Sequence, residues 1–218
     1  MKNLILLLIL SLSISAVAQR DEVYVKEATE RFVKELQDRG VEQLFTSKRY
    51  CLGKTEVFRM PNDSICFSRG TYIESYVVWK EYDRHLIKKI DNCGLFQTVI
   101  MSEDGTYSYF EENLEKLKTN EVKPYKVKRE SDAPLLRTAI HSCRRTYTFY
   151  DRDEVTALAY NMWDMESNEI SENLNFEHND KLEIAQLDYL MDYSISNMEN
   201  DVKYKRMRYT PPRRPSRN

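Results

Sequence analysis

Between residues 22 and 39 the apolar side chains Val25, Ala28, Phe32, Val33 and Leu36 recur three or four positions apart, with charged residues between them. This is the stripe of an amphipathic helix, and Gly40 stands where such a helix needs a left-handed stop. Short β-like runs follow at 55–60 and 64–68, on either side of the turn Pro61-Asn62-Asp63. The strongest alternation lies at 71–82, which should turn through Asp83-Arg84 onto a strand at 85–90. An even-length turn puts Ile73, Val77, Trp79, Leu86 and Ile90 on one face, expected to be the core side. His85 then shares the other face with Tyr76 and Val78. Residues 94–101 read as a third strand.

Farther along, Ser108 and Glu111 have the spacing of a capping box, and Tyr107, Phe110, Leu114 and Leu117 fall at helical intervals. A short helix is therefore expected at 109–119. The polar stretch 119–134, with Pro124 and Pro134, reads as a loop or edge strand. A strand is expected where Thr146, Tyr147, Thr148, Phe149 and Tyr150 cluster. Residues 155–165 fit helix and strand equally. Residues 180–195 read as a helix capped by Asp180, burying Leu182, Ala185, Tyr189, Leu190 and Tyr193. No repeat and no βαβ alternation occurs. The pattern predicts an α+β fold, a mainly antiparallel sheet with an N-terminal helix and one to three further helices packed on it.

Residues 1–18 change the picture of where this fold works. Lys2, an unbroken Leu/Ile run and the small-x-small sequence Ala16-Val17-Ala18 have the order of a secretory signal peptide. The apolar run is too short to cross a bilayer, which needs ~20 residues. Ala16-Val17-Ala18-Gln19 resembles the export signals of Gram-negative bacteria. The expected organisation is a signal peptide at 1–18, one α+β domain at 19–202 and a basic, proline-rich, disordered tail at 203–218. The mature protein is expected to be periplasmic or secreted, with no transmembrane segment.

In an oxidising compartment an even number of cysteines reads as disulfides. Cys51, Cys66, Cys93 and Cys143 allow three pairings. Cys51 with Cys66 and Cys93 with Cys143 is the expectation, because the first closes a short hairpin-like loop and the second staples two strands. No two cysteines have the close spacing of a zinc site.

Charge is distributed unevenly. Residues 19–150 hold 23 basic and 21 acidic side chains, residues 151–201 hold 2 basic and 14 acidic, and residues 203–218 hold 7 basic and none acidic. The tail therefore offers Arg206, Arg208, Arg213 and Arg214 for contact with an anionic envelope component, a partner protein or the chain's own acidic segment. Nucleic acid is not an expected partner of an exported chain.

Catalytic signatures are weak. His141 and Cys143, two apart on a strand, share a face and form the candidate base–nucleophile pair. Arg144 and Arg145 would lower the pKa of a free thiol there. A cysteine held in a disulfide attacks nothing, and that use of Cys143 is the expectation. Asp151, Asp153 and Glu154 alternate as calcium ligands do but lack the glycine and terminal glutamate of an EF-hand loop. His85, His141 and His178 are widely separated, and no metal or other cofactor is expected. Phosphate-binding glycine loops and the G-x-S-x-G elbow are absent. The reading is a non-enzymatic exported binding domain, with oxidised cysteines and no cleft that gathers polar groups. The alternative is an exported hydrolase using Cys143 and His141, or paired carboxylates from 151–201.

Overall fold

The computed structural model describes residues 20–60, 63, 65–68, 70–101, 105–128 and 134–207. The signal segment, most of the Pro61-Asn62-Asp63 turn, and Arg208, Arg213 and Arg214 lie outside the described residues.

The first helical stripe forms α1 (Arg20–Asp38), burying Val25, Ala28, Val33 and Leu36. Gly40 follows with φ 89°, a conformation that side chains with a Cβ resist. Next come β1 (Gln43–Cys51), the hairpin β2 (Val57–Arg59) and β3 (Ile65–Phe67), then β4 (Ile73–Glu81) and β5 (Arg84–Asp91). The expected strand at 94–101 is two short pieces, β6 (Gly94–Leu95) and β7 (Val99–Ile100), both paired with β5. They are followed by α2 (Thr106–Thr119), β8 (Lys126–Val127), β9 (Leu135–Leu136), β10 (Cys143–Asp151) and β11 (Glu154–Asn161). A 3₁₀ turn at Met162–Met165, α3 (Phe176–Asp180) and α4 (Glu183–Glu199) complete the described chain.

The main sheet is antiparallel, with strand order β11-β10-β1-β4-β5-β6 and β7 beside β5. This is the α+β architecture with an N-terminal helix. Helix α1 covers one face over Leu44, Ile73, Val77, Trp79 and Ile90. On the other, α2 and α4 pack Phe110, Leu114, Leu187 and Met191 against Phe45, Tyr76, Val78 and Phe149. The face assigned to Ile73, Val77, Trp79 and Ile90 is correct, but its opposite is core too. His85 reaches that second core, its ring centroid 5.0 Å from that of Tyr107.

Three local readings are corrected. Helix α2 begins at Thr106, ahead of the Ser108–Glu111 pair, and its N-cap Gly105 makes no side-chain cap bond. The ambiguous stretch at 155–165 is strand up to Asn161 and 3₁₀ turn beyond, where the Asn161 side chain accepts from the Trp163 N–H. Helix α4 is not capped by Asp180; the Asn120 side-chain oxygen accepts the Ile184 N–H at 2.8 Å instead. Its buried face is Ile184, Leu187, Asp188, Met191, Ser194 and Met198, while Tyr189 and Tyr193 are 68% and 54% exposed.

Both disulfides connect other partners than expected. Cys51 pairs with Cys143, its registered neighbour across β1 and β10. Cys66 pairs with Cys93, tying the β2–β3 hairpin to the β5–β6 turn. The expected pairing fails because β1, not β5 or β6, lies beside β10. Two disulfides fit an oxidising compartment. Among the described residues no helix is long and apolar enough to cross a membrane.

Candidate functional site

Where β1 ends and β4 and β10 begin, the C-terminal half of α4 crosses the sheet and leaves a cleft of about 370 Å³ beside the Cys51–Cys143 disulfide. Its charged groups come from Arg49 on β1, Glu74 on β4, Arg145 on β10, Glu199 on α4 and Lys54 on the β1–β2 connection.

Arg49 is the centre of one network, with a side chain only 6% exposed. Its guanidinium donates to Asp188 at 2.7 Å, to Tyr147 Oη at 3.1 Å, to Ser47 Oγ at 3.1 Å and to Asp192. Tyr147 in turn donates to Asp188 at 2.6 Å. Burial alone would lower the Arg49 pKa, but Tyr147, Asp188 and Asp192 outweigh it and hold the group protonated. Burial pushes the Tyr147 phenol well up, so it serves as a neutral donor. These contacts explain why α4 turns Asp188 inward: a buried guanidinium requires a hydrogen-bonded counterion.

A second network surrounds Lys89 of β5, whose ammonium contacts Glu74 and lies 3.4 Å from Glu199. The rings of Tyr72, Tyr76, Phe96 and Tyr204 stand 5.5 to 6.0 Å away. Desolvation opposes the charge on Lys89, but Tyr76, Glu74 and Tyr72 more than offset it and raise its pKa. Burial raises Tyr72 and Tyr76, and pushes Tyr204 up to about 12.

Arg145 differs from these two cations. Its side chain is 15% exposed, and its Nε has no hydrogen-bond partner among the described residues. The Asp188 Oδ1 lies 3.4 Å away but already accepts from Arg49 and Tyr147. Lys54, more than half exposed, pairs with Glu56 at the rim.

The residues singled out from sequence fare unequally. Cys143 has no thiol to offer, and His141 lies on an exposed turn beside Gly53, so the two are not a base–nucleophile dyad. Among the described residues no cysteine is free and no group of acids, histidines or cysteines is arranged to hold a metal. Asp151 and Glu154 receive the Lys118 ammonium at 3.0 and 2.8 Å, and Asp153 stands in the exposed turn between their strands. From the acidic segment, Asp188, Asp192 and Glu199 come together at the cleft, but Arg49 and Lys89 engage all three. Burial raises the carboxyl of Asp164, which accepts from the Tyr125 N–H elsewhere in the fold.

Arg206 is not a surface residue. Its guanidinium donates twice to Asp91 of β5 and lies 4.8 and 4.3 Å from the ring centres of Phe58 and Phe96. The packed chain therefore continues to Met207, past the boundary expected at 202, and this contact is with Asp91 rather than the acidic segment.

Sequence reading missed Arg49, Lys89, Asp91 and Asp188. For Lys89 the available signal was a charge pair inside a strand with apolar neighbours, Leu86, Ile87 and Ile90; Arg49, preceded by Thr46, Ser47 and Lys48, carries no such signal. The cleft is lined by charges of both signs, Glu74 and Glu199 beside Arg49, Lys54 and Arg145; with Arg49 held by Asp188 and Asp192, Arg145 and Lys54 are its less committed cations. Comparison with known protein families, with curated proteins and with solved structures gave no match.

Proposed function

We propose that this chain is an exported, non-enzymatic binding domain of the periplasm or the extracellular space. Its cleft beside the Cys51–Cys143 disulfide takes the anionic group of its partner. The observation that carries the reading is Arg145, which lines the cleft and is only partly neutralised: its Nε lies 3.4 Å from Asp188 Oδ1, an oxygen that already accepts from Arg49 and Tyr147. A carboxylate or phosphate oxygen would meet the part of the Arg145 side chain that stays exposed in the cleft, with Lys54 supplying a second charge at the rim. Charge-assisted bonds of this kind are worth ~1.5–3 kcal/mol. The signal pattern of residues 1–18 and the two disulfides support export.

Isothermal titration with a short peptide ending in a free carboxylate, its amidated counterpart and inorganic pyrophosphate tests this. Binding is expected for the two anionic probes and not for the amide, weakening with salt. Lys54→Gln and Arg145→Gln should each weaken it by about tenfold or more. Lys54 is exposed, so its variant stays folded and separates lost binding from lost structure. A folded protein that binds neither anion, or binding indifferent to both substitutions, would contradict the assignment.

A further inference from the structure

The two edges of the main sheet are treated differently. On the β5–β6 side the chain closes its own edge. Phe96 bridges to Arg206, the Gln97 N–H donates to Lys205 O, and the Met207 N–H donates to Leu95 O. On the other side, β11 pairs with β10 through eight consecutive residues without a bulge. No other described segment hydrogen-bonds to its backbone. An exposed edge is normally blunted by lysine, proline, a bulge or a covering element. The sequence of β11, Glu154-Val155-Thr156-Ala157-Leu158-Ala159-Tyr160-Asn161, has no lysine or proline. Helix α1 does not extend over this part of the sheet: Val155 is 57% exposed, and Ala157 and Ala159 are exposed beside it.

We infer that β11 is a homotypic interface, pairing antiparallel with β11 of a second copy to give one sheet running through both molecules. The occupant follows from the strand's own pattern. A two-fold axis perpendicular to the sheet pairs residues of the same face. Centred on Ala157, it sets Val155 opposite Ala159, Thr156 opposite Leu158 and Glu154 opposite Tyr160. Glu154, the only charge in the strand, therefore meets no like charge, and Val155, Ala157 and Ala159 of both copies merge into one apolar row. Small side chains at Ala157 and Ala159 leave the approach open. Pairing confined to one strand per copy belongs with small, transient interfaces.

Sedimentation velocity of the mature protein from ~10 to ~500 μM, a range suited to a weak interface, should show a reversible monomer–dimer equilibrium. Ala157→Lys brings two ammonium groups together at the axis, and Ala159→Lys places one against Val155. Each should weaken dimerisation at least tenfold, while circular dichroism and melting temperature, which a misfolded variant would change, stay as in the parent. A monomer across the whole range overturns the proposal, including the case in which β11 serves a different extended partner. So does a dimer that both lysine variants leave intact.

Discussion

Asp91, with no exposed surface, accepts two bonds from Arg206 of the C-terminal segment, one of them at 2.7 Å, together with the Tyr72 hydroxyl at 2.9 Å and the Cys93 N–H at 2.8 Å. Phe58 and Phe96 lie against the same guanidinium. One ion pair thus joins β5, the β2–β3 hairpin and the end of the packed chain, and it closes the sheet edge that β6 leaves short.

Removing one partner of a buried pair leaves the other charge uncompensated and costs about 3–5 kcal/mol. Arg206→Ala should destabilise the protein by that amount in denaturant titration. A chain ended after Met207 keeps the clamp and one ended after Val202 loses it, so their midpoints should differ correspondingly.

The inward face of α4 supplies a second expectation. Asp188 serves Arg49, Arg145 and Tyr147, so Asp188→Ala should cost about 3–5 kcal/mol. Tyr189→Ser and Tyr193→Ser, on the exposed face, should stay within about 0.5 kcal/mol of the parent. Melting curves of the three variants check the contrast.

Legibility followed the kind of interaction that places each element. Helix α1 and the β4–β5 hairpin were readable because apolar periodicity alone orients them: Val25 to Leu36 on one, Ile73 to Ile90 on the other. Strand β1 was not, because it lies inside the sheet with both faces buried, so Leu44-Phe45 and then Thr46-Ser47-Lys48-Arg49 follow one another without alternation. The face of α4 was read wrongly for a related reason. Its buried stripe includes Asp188 and Ser194, whose partners include Arg49, Arg145, Tyr147 and Thr106, all far away in the chain. Disulfide connectivity depends on β1 lying beside β10, which no local pattern specifies. Arg145, the residue most important to the cleft, looks in sequence like one more charge in a basic pair.

Stability should fall in acid. Hydrogen bonds from Gln43 and Lys118 hold the Asp151 pKa below its ordinary value, and the Asn120 side chain does the same for Glu183. A depressed carboxylate contributes stability that is fully present above its unfolded pKa of ~3.9–4.3 and lost as pH falls through the lower folded value. Bonds from Lys118 to Glu154 and Asp151 raise the lysine, whose contribution is present across neutral pH, is lost as pH rises through its folded value, and goes in acid with the carboxylates that hold it. The melting temperature should therefore hold steady from about pH 5 to 8 and drop below about pH 4. Gln43→Ala should make that drop shallower, and thermal melts between pH 2 and 7 read the difference.

Each disulfide should be worth a measurable amount. Cys51–Cys143 closes a separation of 92 residues and Cys66–Cys93 one of 27. Loop-closure entropy puts their contributions at about 4–5 and about 3–4 kcal/mol. The double serine variants should lose stability in that order in denaturant titration.

The most direct test of an exported, disulfide-stapled binding domain is a non-reducing peptide map of the mature protein, taken after alkylating any free thiol. The account predicts an N-terminus at Gln19, cross-linked peptides joining Cys51 to Cys143 and Cys66 to Cys93, and no alkylated cysteine. An unprocessed N-terminus with Cys143 alkylated would contradict it, removing both export and the staple that frames the cleft.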